Sequence, residues 1–300
     1  MSPKTKDWII ATRPWSFPAS TMPALIAISY VFFLQKSTPI EVDWWYGVLG
    51  LVGAAIFQAS GNLISDYFDY LHHVDRKETF GSSRMLVDKV FTPKTFLYFG
   101  LTLLLAGSLI GLYLLLNTSE NLFWIGVIGV LSTYFYYKLK YNALGDITIF
   151  IVYGLLISLG TYLVLTDTLC WQILLIGTAP GILIVNILHA NNTRDIKHDA
   201  DANIKTQAML LGVKKSIKQY IILGIGAYIV IVLTVVLGVL HPLSLIVFLS
   251  FPVLMKNIKQ MSLADVNKPE LIKDMDAKSA QLVMMFSILL TISNFVAGLI

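Results

Sequence analysis

Long apolar stretches alternate along the chain with short polar segments that carry most of its charge. The apolar runs fall at 17–34, 45–64, 95–116, 122–137, 146–165, 171–188, 220–240, 243–255 and 281–300. Most approach the roughly 20 residues that a spanning helix needs, and the eighth is short. None shows sustained alternation, so the pattern predicts helices and not the strands of a barrel. The expectation is an all-α, polytopic membrane protein of about nine transmembrane helices, one domain over 1–300. The spacing also predicts two four-helix repeats, about 14–140 and 145–260, with a last helix at 281–300.

Two polar clusters close apolar runs four spans apart. Asn191, Asp195 and Asp199 follow the sixth run at spacings of four, so on a helix they share one face. Asn62, Asp66 and Asp69 close the second run at spacings of four and three. Either cluster alone reads as a wet helix end. Two similar clusters after two different spans predict a common purpose, and their oxygen-only donors suit a hard cation such as Mg2+.

Composition and charge narrow the reading. The chain is 56% hydrophobic and only 13% charged, with a mean hydropathy of +0.72. A soluble domain carries about 25% charged residues. The net charge of +4 is not a nucleic-acid footprint, because the basic residues sit before the first run and after the second, fourth, sixth and eighth. Of the lysines and arginines, only Lys36 lies in a loop of opposite parity. This positive-inside pattern predicts a cytoplasmic N-terminus and puts both aspartate clusters on the cytoplasmic side of the cell (inner) membrane. Prolines interrupt the N-terminus, which does not read as a cleaved signal. Cys170 stands alone, excluding an intrachain disulfide and a thiolate metal site. His72 and His73 read as a wet interfacial pair, since no partner histidine lies at helical spacing in the neighbouring spans.

Asp66, Asp69 and Asp75 form one acidic set, and Asp195 and Asp199 the other. Facing carboxylates repel unless a cation separates them. Metals held by a few carboxylates complete their shell with water and substrate phosphates. The nearby cations Arg84, Arg194, Lys138 and Lys205 suit a diphosphate better than a bare ion. The expected substrate has a phosphorylated head at the membrane face and a greasy tail among the helices, as a polyprenyl diphosphate does. Tyr67, Tyr134 and Tyr137 are candidates to face an allylic cation, or simply an aromatic belt at the bilayer surface. Asp146 opens the fifth span; it either favours the helix N-terminus electrostatically or completes a polar site.

These residues carry a resemblance. The chain resembles the UbiA-type membrane prenyltransferases through Arg13-Pro14 with Phe17-Pro18, Asn62 with Asp66-Tyr67-Phe68-Asp69, and Val74-Asp75 with Gly81 to Arg84. Leu144-Gly145-Asp146 and Asn191-Asn192-Thr193-Arg194-Asp195 with Asp199, Thr206 and Leu211-Gly212 continue it. Within the family it is most similar to the branch that prenylates 1,4-dihydroxy-2-naphthoate in menaquinone biosynthesis. The resemblance implies two aspartate motifs meeting over a central cavity. It also implies Mg2+-dependent transfer of a polyprenyl chain to an aromatic acceptor, giving demethylmenaquinone. It implies that Asp66, Asp69, Asp195 and Asp199 are catalytic and hold metal with Asp75. Asn62, Tyr67, Arg84, Tyr137, Lys138, Asp146, Asn191, Arg194 and Lys205 are the expected substrate contacts.

The chain departs from the pattern in four places, the first from that of the family and the other three from that of the naphthoate branch. Ser65 replaces an Asn before the first Asp, and His73 a Gly before Val74-Asp75. Asn203-Ile204-Lys205-Thr206 stands where Gly-Lys-x-Thr is usual, and Leu210 where Arg is frequent. A cation transporter is the main reading from another class, but its carboxylates would sit near the bilayer midplane. A CDP-alcohol phosphotransferase needs a denser motif in one segment, and a non-catalytic prenyl-lipid binder would keep the clusters without turnover.

Overall fold

The structure is a computed structural model that describes residues 3–80 and 82–300. Gly81, one of the residues that carry the resemblance, lies outside the described residues. Among the described residues the chain is helical, with a single isolated bridge between Asn142 and Lys205. Helix α1 (Thr5–Ala11) and a 3-10 turn (Pro14–Ser16) lead into α2 (Pro18–Leu34). Then come α3 (Trp44–Leu71), α4 (Pro93–Asn117), α5 (Leu122–Tyr141), α6 (Gly145–Thr166) and α7 (Trp171–Arg194). Two short helices, α8 (Ile196–Asp201) and α9 (Gln207–Leu211), precede α10 (Val213–Val236), α11 (Pro242–Met261) and α12 (Met275–Leu299).

Among the described residues, eight helices are long and apolar enough to cross a membrane, or nine if α1 and α2 count as one span bent by 60°. That bend falls where sequence chemistry puts it. Pro14 lacks an N–H donor and disfavours right-handed helix in the residue before it. Arg13 accordingly takes φ 55°, ψ 59°. The expected eighth run, 243–255, is short for a crossing; the structure lengthens it at both ends and stretches it. Pro242–Ser250 is 3-10 helix and Phe251–Met261 is α-helix. At about 2.0 and 1.5 Å per residue the two reach about 34 Å, a full hydrocarbon thickness. The second and sixth spans also run past their expected ends, to Leu71 and Arg194; the first polar cluster rides on α3, whereas the second leaves helical geometry at Asp195 (φ −94°, ψ 8°) and resumes in α8, so Asn191, Asp195 and Asp199 do not share one continuous helix.

Lipid tails are as apolar as leucine, so close van der Waals packing drives helix association here. Helix α7 is the most enclosed of the long helices. Its Gly177 and Gly181 meet Gly154 of α6 almost backbone to backbone; a Cβ on Gly181 would stand 2.6 Å from the Gly154 Cα. At this crossing α6 loosens into a π-helical segment, Phe150–Leu156, a feature that re-aims side chains at functional sites. Around α7 the core includes Tyr30, Leu183, Tyr228 and Phe286. A second cluster of Ala11, Leu63, Leu86, Phe91 and Phe96 anchors α1. Trp8 packs edge-on against Phe91 and Phe99, with ring centroids 4.6 and 4.8 Å apart. That contact delivers Arg13, just past α1, to the end of α3.

Candidate active site

The first aspartate set is built by α3 and the chain reversal after it. Asp66 is 3% exposed. Its Oδ1 accepts from Arg13 Nη1 at 3.1 Å, and its Oδ2 from the Ser83 amide and hydroxyl at 2.9 and 2.8 Å. Asp69, one turn on, accepts from Lys140 Nζ at 2.9 Å and from the Tyr141 hydroxyl at 2.7 Å. The backbone then turns through His73 at φ 57°. The Val74 and Asp75 amides donate to the Asp69 carbonyl at 2.8 and 3.1 Å, bringing Asp75 back against the helix. Asp66, Asp69 and Asp75 each offer a carboxylate oxygen within 4.8 Å of the others. Burial, with the charges of Asp69 and Asp66 beside it, pushes the Asp75 carboxyl up to about 8.

The second set closes α7 and continues into α8. Buried Arg194 forks onto Asp195, Nε to Oδ1 at 2.8 Å and Nη2 to Oδ2 at 2.7 Å. It also bonds the Asn191 side-chain oxygen and the Lys273 carbonyl, and lies over the Phe80 ring. Arg194 therefore braces the second motif. Asp199 is buried, and its Oδ2 has no hydrogen-bond partner. Burial pushes its carboxyl up to about 7; Lys140 opposes the shift and Asp195 adds to it.

Both sets line one polar pocket. Asp66, Asp69, Asp75, Asp195 and Asp199 share its wall with Arg13, Lys140 and His198. The pocket adjoins a cavity of about 710 Å³ enclosed by α2, α3, α5, α6, α7 and α12, and Arg13, Asp69, Lys140 and Asn191 line both. Asn62 lines the cavity while holding the Thr12 carbonyl and the Ser16 hydroxyl, each at 2.8 Å.

The structure brings together all five aspartates and both asparagines, but distributes the remaining expected contacts elsewhere. Arg84 pairs with Asp88 at 3.3 Å, outside both pockets. Lys138 lies over Phe135 and Tyr137, and the Lys205 side chain is exposed. Tyr137 stacks on Phe68 at 3.6 Å, and Tyr67 packs edge-on against the same ring. Asp146 is buried against His189 Nδ1 at 2.8 Å and Gln219 Nε2 at 3.0 Å, tying α6 to α7 and α10. In their places stand Arg13, Lys140, Tyr136 and Tyr153. Arg13 lies in a motif that also reads as an interfacial anchor. Nothing in the sequence marks Tyr153, since the π-helical turn that carries it is a tertiary effect.

Five carboxylates face Arg13 and Lys140, with Arg194 bound behind. The negative excess, the oxygen-only donors and the orphaned Asp199 Oδ2 fit a hard divalent cation. Mg2+ is therefore compatible with the residues present.

Comparisons agree with this geometry. The sequence pattern of the UbiA prenyltransferase family matches residues 21–273. UbiA prenyltransferase domain-containing protein 1 of Danio rerio is 32% identical over 248 residues, covering 81% of this chain and 71% of that protein. The match spans 62% of the protein of the same name in Rattus norvegicus. The 1,4-dihydroxy-2-naphthoate octaprenyltransferase of Bacillus subtilis is 30% identical over 245 residues, 80% of this chain and 77% of that one. A UbiA homolog from Archaeoglobus fulgidus bound to GPP and Mg2+ has a similar fold. Its TM-score is 0.60 at 13% identity, covering 95% of this chain and 99% of that one. This multi-pass membrane protein belongs to the UbiA prenyltransferase family.

Proposed function

We propose that the protein transfers a polyprenyl chain from an allylic diphosphate to an aromatic acceptor, 1,4-dihydroxy-2-naphthoate, releasing diphosphate and CO2 and giving demethylmenaquinol, the reduced form of demethylmenaquinone. The observation that carries this reading is the adjoining pair of pockets. One is polar and walled by five aspartates; the other is large and lined largely by apolar side chains. A diphosphate head and an isoprenoid tail divide between two such spaces. The acceptor is supported by the 30% identical octaprenyltransferase. The metal and donor class are supported by the Archaeoglobus fulgidus homolog bound to GPP and Mg2+.

Asp66, Asp69 and Asp75 on one side, and Asp195 and Asp199 on the other, would hold Mg2+. When bound, the metal supplies charge neutralisation for the leaving diphosphate. Arg13 and Lys140 stand where the pockets adjoin and donate charge-assisted hydrogen bonds to diphosphate oxygens. Tyr136 and Tyr153 line the cavity and are the candidates to stabilise the allylic cation with their rings. The acceptor ring attacks the cation from the same space. The positive-inside distribution supports a cytoplasmic orientation for this chemistry at the cell membrane.

The test uses purified protein with a prenyl diphosphate, Mg2+ and a panel of acceptors. Asp66→Asn and Asp195→Asn are each expected to abolish most turnover. Near-normal rates in both would sink the assignment. Prenylation of another quinone precursor, a haem, a chlorin or a lipid in preference to dihydroxynaphthoate would correct the acceptor alone.

A further inference from the structure

Helix α12 turns two faces to different surroundings. Leu282, Val283 and Phe286 pack in the main core, whereas Asp276, Ala277, Ala280, Gln281 and Met284 line the large cavity. These five fall at i, i+1, i+4, i+5 and i+8, one face of the helix. The two alanines leave a low floor between the polar side chains of Asp276 and Gln281, which stand about 7.5 Å apart along the axis. Polar residues in a spanning segment are costly against lipid and mark cavities that receive polar groups.

Asp276 has bonding capacity to spare. Among the described residues, the carboxylates on the cavity wall are Asp69 and Asp276, and Asp69 is committed to Lys140 and Tyr141. Asp276 Oδ1 accepts from the adjacent Ala277 amide at 2.8 Å. Its Oδ2 stands 3.5 Å from Arg194 Nη1. That guanidinium is already held more closely by others, forked onto Asp195 at 2.8 and 2.7 Å and bonded to the Lys273 carbonyl at 3.0 Å. The Asp276 side chain is 27% exposed, so a ligand in the cavity can reach it.

The position of this face says which part of the substrates it meets. Arg194 links Asp276 to Asn191, which lines both pockets. The face therefore begins beside the junction that holds the diphosphate and its allylic carbon. A carboxylate repels the diphosphate, and the isoprenoid tail carries no hydrogen-bond donor. A ring hydroxyl of an aromatic acceptor is a donor, and its bond to a carboxylate is of the strong, charge-assisted kind. We propose that this face of α12 is the acceptor subsite. The ring lies on Ala277 and Ala280, a ring hydroxyl donates to Asp276, and Gln281 bounds the far edge. This inference rests on the prenyl-transfer reading above.

The test measures acceptor and donor KM values in the purified full-length protein, with Mg2+, a prenyl diphosphate and the hydroxyaromatic acceptor it turns over best. Asp276→Ala is expected to raise the acceptor KM about tenfold and to leave the donor KM within about twofold. Ala280→Leu, one turn further along, fills the floor and should do the same without touching the Asp276 carboxylate. A purely structural Asp276 would act through Arg194 on Asp195, and its loss would weaken the rise in thermal midpoint that Mg2+ produces. Asp276→Ala is expected to keep that rise. Should Asp276→Ala not fold, Asp276→Asn, neutral and of the same size, takes its place with an acceptor KM raised about threefold. An acceptor KM that is unchanged or lowered in either variant overturns the inference. So does a parallel rise in both KM values with a weakened Mg2+ response. Preference for a haem, which carries no ring hydroxyl, overturns the subsite and leaves prenyl transfer standing. Wild-type protein that prenylates no acceptor brings down the prenyl-transfer reading, and this inference with it.

Discussion

Arg13 reaches Asp66 across 53 positions of the chain, Nη1 to Oδ1 at 3.1 Å, and it does so from a left-handed backbone at φ 55°. That conformation costs a non-glycine residue about 1–2 kcal/mol. Pro14, the Ser16 hydroxyl on the Arg13 carbonyl and the packed Trp8 hold it in place. Strain of this kind is kept where the side chain matters. Hydrogen bonds to charged groups contribute about 1.5–3 kcal/mol, so Arg13→Gln is expected to lower kcat/KM for the prenyl diphosphate about 10- to 100-fold. Arg13→Lys should recover part of the loss. A fall of less than threefold in Arg13→Gln would remove Arg13 from the diphosphate grip.

Lys140, and not Lys138, lines the two pockets. Its Nζ lies 2.9 Å from Asp69 Oδ2, whereas Lys138 lies over surface aromatics. Lys140→Ala is expected to cost at least 100-fold in kcat/KM, and Lys138→Ala less than threefold, by steady-state assay in detergent. The pair shows what the sequence could and could not reveal. The aspartate spacing was legible because the first cluster lies on one helix, and the second, though divided at Asp195 between α7 and α8, keeps its four-residue spacing after four further spans. The cations were not. Residues 138 and 140 sit about 200° apart on a helix, and each has an aromatic neighbour, Tyr137 before one and Tyr141 after the other, so either face of α5 reads as inward. Arg84 and Lys205 misled for a related reason. Loop basic residues are abundant on the positive-inside side, and only tertiary structure separates those that turn inward. The helix count survived better, because apolar length is a one-dimensional property.

His73 and Asn203 occupy positions where the naphthoate branch of the family usually carries glycine, and both have left-handed backbones, φ 57° and 56°. The departure and its cause were visible at different levels: the sequence showed the replacement, and the fold shows why glycine suits it. Asparagine tolerates this region better than histidine does. His73→Gly is expected to stabilise the protein by about 1 kcal/mol, and Asn203→Gly by much less, with turnover kept within twofold. Thermal unfolding in detergent checks this. A destabilised His73→Gly would show that the imidazole makes compensating contacts.

The raised carboxyls of Asp75 and Asp199 give the metal-free protein a pH dependence of definite sign. Unfolded aspartate titrates near 3.9, while these groups are pushed up to about 8 and about 7 by burial. Between those limits the folded state holds protons that the unfolded chain has released. Their contribution to stability is therefore full at low pH and is lost as pH rises through 7 to 8. In chelator, the thermal midpoint is expected to fall from pH 5 to pH 8, and Asp75→Asn should flatten the slope. Metal binding needs the deprotonated carboxylates, so added Mg2+ should raise the midpoint more at pH 8 than at pH 6. A midpoint in chelator that climbs over this range would contradict the assignment.

The cavity wall includes the aromatic side chains of Tyr136 and Tyr153, and not those of Tyr67 or Tyr137, whose rings pack against Phe68. A desolvated cation over such a ring gains about 2 kcal/mol or more, a factor of about 30 in rate if the interaction strengthens as the allylic cation forms. The face, and not the hydroxyl, supplies this attraction. Tyr153→Phe should therefore keep kcat within about threefold, and Tyr153→Ala should lower it about 30-fold with little change in the donor KM. Tyr137→Ala serves as the control and should leave kcat nearly intact. Single-turnover measurements isolate the chemical step from product release. Equal losses in Tyr153→Phe and Tyr153→Ala would assign the residue's role to its hydroxyl and withdraw the cation-facing one.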